Sequence, residues 1–151
     1  MNILHISAEC YPLAKVGGLA DVVGALPKYL QELNTNSSVI MPYYNTAFTK
    51  KNSFKEVYKN TLQLGNTSFE YSVLLLPKNV LGFDLFCVNI PNLLYQDYVY
   101  SNNDTERFLA FQIATLDWII TLDKKPDLIH THDHHTGLIP FMISECYKYN
   151  R

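Results

Sequence analysis

The sequence has little charge and no long hydrophobic run, and each shortage excludes a class of protein. Charged residues make up 17% of the 151 residues, and 12 basic residues stand against 14 acidic ones, for a net charge of −2. A strongly basic nucleic-acid surface and a polybasic membrane patch are therefore not expected. The apolar runs, such as residues 73–76, are far too short to span a bilayer.

Cysteine is scarce as well, with three widely spaced residues, Cys10, Cys87 and Cys146. This odd number at such spacing predicts reduced, buried thiols in a cytoplasmic protein. The N-terminus lacks a basic segment followed by a long apolar one, so no signal peptide is predicted. Apolar residues, in contrast, make up 48% of the chain, which is enough to bury a core and argues against disorder.

Strand and helix patterns alternate along the chain. A short apolar run at 3–7 is followed by Gly17 and Gly18, a stretch of helical period from Leu19 to Leu33, and a second apolar run at 39–42. The helix contains Pro27, but its period continues past the proline. This βαβ unit predicts parallel strands with a right-handed crossover.

The rest of the chain continues the alternation. We expect an exposed, lysine-rich loop with a little helix at 43–60, strands at 61–64 and 69–76 around a turn, a strand at 83–90, and a loop at 91–103. Asn103 with Glu106 forms a capping-box pattern before a further helix. A strand at 127–130 and a last helix opening at Thr136 complete the chain. The pattern predicts an α/β fold, a doubly wound, mainly parallel sheet with helices on both faces. One face of the helix after Asn103 is expected to be buried: Phe108, Phe111, Thr115, Trp118, Ile119 and Leu122.

Two unusual clusters follow predicted strands, at the sheet edge where α/β proteins bind ligands. The first runs from Lys15 to Asp21. Gly17 and Gly18 would let the backbone turn tightly and approach a ligand, and the next helix offers unpaired N–H groups beside the Lys15 charge. This arrangement suits a phosphate, although a plain tight turn with an exposed lysine is equally consistent with the spacing. Asp21, in the first turn of the helix, either stabilises the helix N-terminus through the helix dipole or accepts a hydrogen bond from a ligand hydroxyl.

The second cluster holds four of the five histidines within six residues, from His130 to His135. One chemistry is a binuclear zinc site of the metallo-β-lactamase type, but the aspartate comes one position too early for that pattern. The other is a sugar or phosphate site in which one histidine donates a hydrogen bond. His130 and His132 would lie on one side of the strand and are expected in the core. His135, at the mouth of the last helix, is the candidate to face a ligand.

At these clusters the sequence resembles a known family. Residues 1–30, with the order Lys15-x-Gly17-Gly18-Leu19, resemble the N-terminus of bacterial glycogen synthases and plant starch synthases. Residues 127–140 resemble the second N-terminal motif of that family, and the segment from Asp104 to Phe111 resembles the helix before it. The resemblance spans nearly the whole chain.

The resemblance implies a GT-B glycosyltransferase, which has two Rossmann-like domains facing a cleft. Residues 1–151 would be one domain and most of the N-terminal half of the enzyme. The enzyme would transfer glucose with retention from ADP-glucose or UDP-glucose to the non-reducing end of an α-1,4-glucan. The C-terminal domain of the same chain would bind most of the nucleotide, so the fragment alone is expected to be inactive. No metal or other cofactor is implied.

The resemblance also implies residue roles. Lys15, Gly17 and Gly18 would bind the donor phosphates, Asp21 would orient donor or acceptor groups, and His135 would hydrogen-bond the transferred glucose. Two further residues are weaker candidates for the acceptor side: Tyr95 and Asn103.

The chain departs from the family pattern at two places. His134 stands where the family often has Trp, and the order Asn103-Asp104 leaves Asp104 without an assigned role. Two alternatives stay open, a stand-alone glucan-binding module and the zinc hydrolase.

Overall fold

The structure, a computed structural model, describes residues 1–146 and is built on one six-stranded sheet with the strand order β3-β4-β5-β2-β1-β6. Four α-helices, a 3₁₀ turn and a π-helical segment accompany the sheet. The strands are β1 (Asn2–Ile6), β2 (Asn36–Pro42), β3 (Lys55–Leu64), β4 (Thr67–Leu76), β5 (Asp84–Asn89) and β6 (Leu128–Thr131). The helices are α1 (Gly18–Glu32), α2 (Ala47–Lys51), α3 (Asp104–Thr121) and α4 (Ile139–Phe141), with a 3₁₀ turn at His134–Thr136 and a π-helical segment at Met142–Cys146.

The sheet has a parallel part and an antiparallel part. β1 pairs in parallel with β2 and β6, and β2 pairs in parallel with β5. β4 runs antiparallel to both β3 and β5. The parallel strands place the segments after β1 and after β6 at one edge of the sheet, since their carboxyl ends point the same way. This confirms the predicted mainly parallel sheet and the predicted hairpin.

Helices cover both faces of the sheet, as predicted. On one face, Phe111 and Trp118 of α3 pack with Ile6 and Ile40 in a buried apolar cluster. On the other face, Val23 of α1 belongs to a second cluster with Val39, Met41, Leu85 and Tyr44. Successive residues of β2 enter opposite clusters because side chains alternate across a strand. The helix with Pro27 in its interior is confirmed over α1.

Three local predictions are wrong. The little helix expected in the loop at 43–60 is present as α2, but the loop is shorter than predicted because β3 already begins at Lys55. The lysines concealed this strand because β3 is an edge strand whose charged side chains face solvent, as Lys59 does in its ion pair with Glu70. Cys10 and Cys87 are buried, but Cys146 is exposed, so the prediction of three buried thiols fails at the last one.

The capping box at Asn103 is also absent, because Asn103 makes no side-chain bond to the start of α3. Its Oδ1 instead accepts a hydrogen bond from Ser101 Oγ at 2.5 Å.

The last helix, predicted from Thr136, is divided into a 3₁₀ turn, α4 and the π-helical segment. Its predicted continuation to the C-terminus lies outside the described residues. No helix in residues 1–146 combines the length and the hydropathy needed to cross a membrane.

Candidate ligand-binding site

The glycine loop leaves open space above the start of α1. Gly17 is the N-cap residue, with φ −138°, and Gly18 is the first helical residue. The left-handed glycines of the described chain are Gly65 and Gly82, so the tight-turn argument for Gly17 and Gly18 is wrong. A Cβ atom added at either position would meet nothing within 4 Å. Neither backbone conformation nor packing requires glycine there, and the open space leaves room for a ligand to approach the backbone.

The start of α1 carries no side-chain cap. The amides of Val16 and Gly17 both donate to Glu9 Oε2, at 2.6 and 3.1 Å. The Gly17 amide is therefore already paired, and the uncapped N–H groups of α1 begin at Gly18. These uncapped groups and the helix dipole favour an anion at this end.

Lys15 lies beside the helix start and is paired with Asp21. Its Nζ donates to both carboxylate oxygens of Asp21 at 2.8 Å, and both side chains are about half exposed. Such an exposed pair contributes at most about 1 kcal/mol, so an anionic ligand can take the place of Asp21 as the partner of Lys15. Lys15 also lines an open cavity of about 390 Å³ together with Val16, Tyr98 and Tyr100.

His135 lies in the 3₁₀ turn after β6, with 9% of its surface exposed. Its ring stacks on Tyr100 at 4.8 Å between centroids and meets the ring of Phe108 edge-on at the same distance. It lines a cavity of about 250 Å³ with Asp104 and Gln112. The predicted position of His135, at a cleft before the last helical segment, agrees with this geometry.

The protonation of His135 follows from its surroundings. Burial, and then the neighbouring His134, lower the pKa of His135 below its usual value of 6.5. Its Nδ1 atom is buried and has no hydrogen-bond partner in residues 1–146. A buried N–H without an acceptor is costly, so the neutral tautomer with the proton on Nε2 is favoured. His135 can then donate one hydrogen bond from Nε2 toward the cavity.

Asp133 fixes the turn that carries His135. Its backbone has φ 64° and ψ 176°, a conformation found almost only for glycine and one that costs about 1–3 kcal/mol. Its Oδ1 accepts hydrogen bonds from the His134 amide at 2.6 Å and from the His134 Nδ1 at 2.9 Å. These bonds lower the pKa of Asp133, the backbone bond most, and they offset part of the strain.

The other histidines form a separate group. His5 is fully buried, and its two ring nitrogens lie 3.0 Å from Ser37 Oγ and 3.0 Å from His132 Nε2. His132 is buried, as predicted, but His130 is exposed, so the prediction of a core position is wrong for His130. The reason is that β6 lies at the edge of the described sheet. The ring of His130 stacks on that of His132 at 4.1 Å, on the same side of the strand as predicted.

The histidines and Asp133 also form two groups with the composition of metal sites. The potential ligand atoms of His5, His130 and His132 lie within 4.8 Å of one another, as do those of Asp133, His134 and His135. Both nitrogens of His5, however, already have protein partners. Within the first group, His5 and His132 are therefore joined with Ser37 in a hydrogen-bonded chain, and His130 only stacks on them.

The comparison with known proteins identifies the family of the chain. A family model described as the starch synthase catalytic domain matches residues 2–151. The chain belongs to the starch synthase catalytic domain family. This confirms the resemblance seen in the sequence and replaces the zinc hydrolase alternative.

Relatives of the chain support the same assignment. A glycogen synthase from Flavobacterium johnsoniae is 54% identical over 150 residues, which are 99% of this chain and 32% of that protein. A glycogen synthase from Streptococcus pneumoniae is 36% identical over 152 residues, with 99% and 31% covered. The chain thus spans roughly a third of the length of these relatives.

A solved structure agrees with the fold. The catalytic domain of Starch Synthase IV from Arabidopsis thaliana, bound to ADP and acarbose, matches with a TM-score of 0.78 and 25% identity. The match covers 97% of this chain and 31% of that chain. It confirms the predicted Rossmann-like domain of the GT-B class.

Within the described part of this domain, the two acceptor-side candidates have partners other than His135. The Tyr95 hydroxyl donates to Asn45 Oδ1 at 3.0 Å, and its ring stacks on Tyr43 at 5.3 Å. Asn103 is exposed and bonded to Ser101. No hydrogen bond or ring contact within the described chain joins either residue to His135 or Lys15, so their roles stay predictions.

Sequence reasoning missed three residues that build this site. Glu9 and Tyr100 join the glycine loop to the His135 turn, because the Tyr100 hydroxyl donates to Glu9 Oε1 at 2.5 Å. Arg107 is fully buried and holds the loop that carries Tyr100. The available signal was the presence of charged residues in otherwise apolar segments, which predicts burial with a specific partner but does not identify that partner.

Proposed function

We propose that this chain is the N-terminal part of a glycogen or starch synthase. The whole protein transfers glucose, with retention, from ADP-glucose or UDP-glucose to the non-reducing end of an α-1,4-glucan. The observation that carries the proposal is the family match over residues 2–151, together with relatives named glycogen synthase. The C-terminal domain of the same full-length chain binds most of the nucleotide, and the enzyme works in the cytoplasm.

The donor phosphates bind at the start of α1. Lys15 exchanges its exposed pairing with Asp21 for the diphosphate, and the open space at Gly17 and Gly18 lets the phosphates approach the backbone. The uncapped amides from Gly18 onward donate to the phosphate oxygens, which suits an anion without a metal ion. Asp21, once released from Lys15, orients a hydroxyl of the donor or the acceptor.

The transferred glucose binds beside His135. The neutral ring donates from Nε2 to a sugar oxygen, because its lowered pKa keeps it uncharged and its Nδ1 faces the protein interior. A fixed donor in a sheltered cavity stabilises the oxocarbenium-like transition state electrostatically. Tyr95 and Asn103 contact the glucan acceptor further from the reacting bond.

The test uses Lys15→Ala and His135→Ala in the full-length protein. Glucan elongation is measured with ADP-glucose and with UDP-glucose, and kcat/KM is expected to fall by about 100-fold or more in each variant. For Lys15→Ala the KM for the donor should rise, since the lysine binds the ground-state phosphates as well.

Lys59→Ala is the matched control. Lys59 also forms an exposed ion pair, with Glu70, but lies in the β3–β4 hairpin, so its loss should leave elongation unchanged. Normal elongation by Lys15→Ala or His135→Ala would refute the site assignment. A wild-type protein that binds maltooligosaccharide without transferring glucose would instead favour a glucan-binding module.

A further inference from the structure

Glu9 is a buried carboxylate that no basic side chain neutralises. Only 3% of its surface is exposed, and no lysine or arginine in residues 1–146 lies within ion-pair distance of it. Burying an acidic group is costly unless hydrogen bonds satisfy it. Three donors do so here: the amides of Val16 and Gly17 on Oε2, and the Tyr100 hydroxyl on Oε1.

These donors come from separate segments of the chain. Val16 and Gly17 belong to the loop before α1, whereas Tyr100 lies before α3, and Tyr100 stacks directly on His135 at 4.8 Å. Burial and the hydrogen bond to Glu9 raise the pKa of Tyr100, so its hydroxyl stays protonated and donates. The Glu9 carboxylate is fully satisfied only when both segments are in place.

Arg107 fixes the loop that carries Tyr100. The guanidinium of Arg107 donates to the backbone oxygens of Leu93 and Val99, at 3.1 and 2.8 Å. It also binds Asp104 Oδ1 at 2.7 Å. The residue next to Tyr100 is therefore fixed to α3, and the ring of Tyr100 has little freedom to leave His135.

We propose that Glu9 is a positioning residue that acts through Tyr100 to hold the glycine loop and His135 at a fixed separation. The donor phosphates and the transferred glucose belong to one molecule, so the loop and His135 must keep their spacing for both ends to bind together. This step rests on the proposed function. The physical coupling of the two segments does not depend on it.

The experiment compares three variants of the full-length protein. Tyr100→Phe removes only the hydroxyl and keeps the ring on His135, Glu9→Ala removes all three hydrogen bonds, and Glu9→Gln retains an acceptor oxygen for the loop amides. Hydrogen exchange followed by mass spectrometry reports on residues 15–18 and 133–137, and elongation assays report kcat and KM.

We expect Glu9→Ala and Tyr100→Phe to speed amide exchange at Val16 and Gly17 by about tenfold. Glu9→Ala should also speed exchange at 133–137, which Glu9 does not touch. The kcat for elongation should fall by about 10- to 100-fold, with Glu9→Gln least affected, because a displacement of about 1 Å has effects of this size. Exchange in β2 should not change.

Tyr29→Phe is the matched control, since its exposed hydroxyl makes no hydrogen bond in the described part of the chain and it lies toward the C-terminal end of α1, away from the glycine loop. Unchanged exchange at 15–18 in Tyr100→Phe would overturn the coupling. Faster exchange with an unchanged kcat would overturn the positioning role. If the wild-type protein transfers no glucose, the proposed function fails, and the exchange results still decide whether the two segments are coupled.

Discussion

At the scale of the residue, Gly18 and Gly24 lie in the same helix, but the space around a side chain at the two positions differs. A Cβ atom at Gly18 would meet nothing within 4 Å, whereas one at Gly24 would lie 2.6 Å from the carbonyl oxygen of Tyr11. Gly24 is therefore required by packing within the chain. Gly18 is not, and the open space beside it leaves room for a ligand to come close to the backbone.

We predict opposite effects for alanine at these two positions. Gly18→Ala should raise the free energy of unfolding by about 0.5 kcal/mol, since alanine favours the helix, and should raise the KM for the sugar-nucleotide donor. Gly24→Ala should lower the free energy of unfolding by about 1–3 kcal/mol through overpacking. Denaturant titration and donor kinetics measure both, and an unchanged donor KM in Gly18→Ala would remove the close-approach argument.

Individual residues also show which parts of the candidate site could be predicted from the sequence. The short spacing between Lys15 and Asp21 on one loop and helix turn was sufficient to place them together, and they are paired. Glu9 and Tyr100 are 91 positions apart. No local spacing could join them, because their contact depends on how β1, α3 and the 91–103 loop meet at one edge of the sheet.

At the scale of the element, α3 organises the loop before it through one buried charge. Arg107 is fully buried in the first turns of α3, and its guanidinium donates to the backbone of Leu93, Tyr98 and Val99. Asp104, one helical turn earlier, neutralises it at 2.7 Å. The loop from 91 to 103 thus obtains from a side chain the hydrogen bonds that it lacks from regular secondary structure.

We predict that Arg107→Met destabilises the chain by about 3 kcal/mol, because it leaves three carbonyl groups without their donor and removes the cation that neutralises Asp104. Lys59→Met is the matched control, since its ion pair with Glu70 is exposed and should contribute less than about 1 kcal/mol. Equilibrium unfolding in urea measures both. Equal stability of the two variants would show that Arg107 does not hold the loop.

In the same helix, α3, one sequence pattern predicted the structure correctly and another did not. Its buried face was predicted from the 3.6-residue period, and Phe108, Phe111 and Trp118 are buried as expected. Its capping box at Asn103 was wrong, because other local hydrogen bonds engage these side chains: Asn103 binds Ser101, and Asp104 binds Arg107 and Ser101. Periodicity sums over many residues and survives such competition, whereas a cap depends on one rotamer.

At the scale of the whole molecule, two histidines join the parallel part of the sheet to the edge that carries the candidate site. His5 of β1 and His132, just after β6, share a hydrogen bond beneath the loop that carries His135. Burial, followed by the charge of neighbouring histidines, lowers the pKa of both His5 and His132 to about 4 from 6.5. The folded chain therefore keeps this pair neutral under conditions where an unfolded chain would protonate it.

The sign of the resulting pH dependence follows directly. Above pH 6.5 both states are neutral at these histidines, and the pair carries no penalty. As the pH falls from 6.5 toward 4, the unfolded state binds protons that the folded state does not, so the free energy of unfolding decreases. Each pKa unit corresponds to roughly 1.4 kcal/mol, and the loss across the window should reach a few kcal/mol.

Urea unfolding of the 151-residue chain at about pH 7.5 and about pH 5 tests this dependence. His132→Gln should reduce the difference between the two conditions, because it removes one of the two shifted groups and relieves the other. A wild-type free energy of unfolding that stays constant between the two conditions would show that the His5–His132 pair accepts protons in the folded state. The hydrogen bond between His5 and His132, which joins β1 to the segment before His135, would then carry a positive charge.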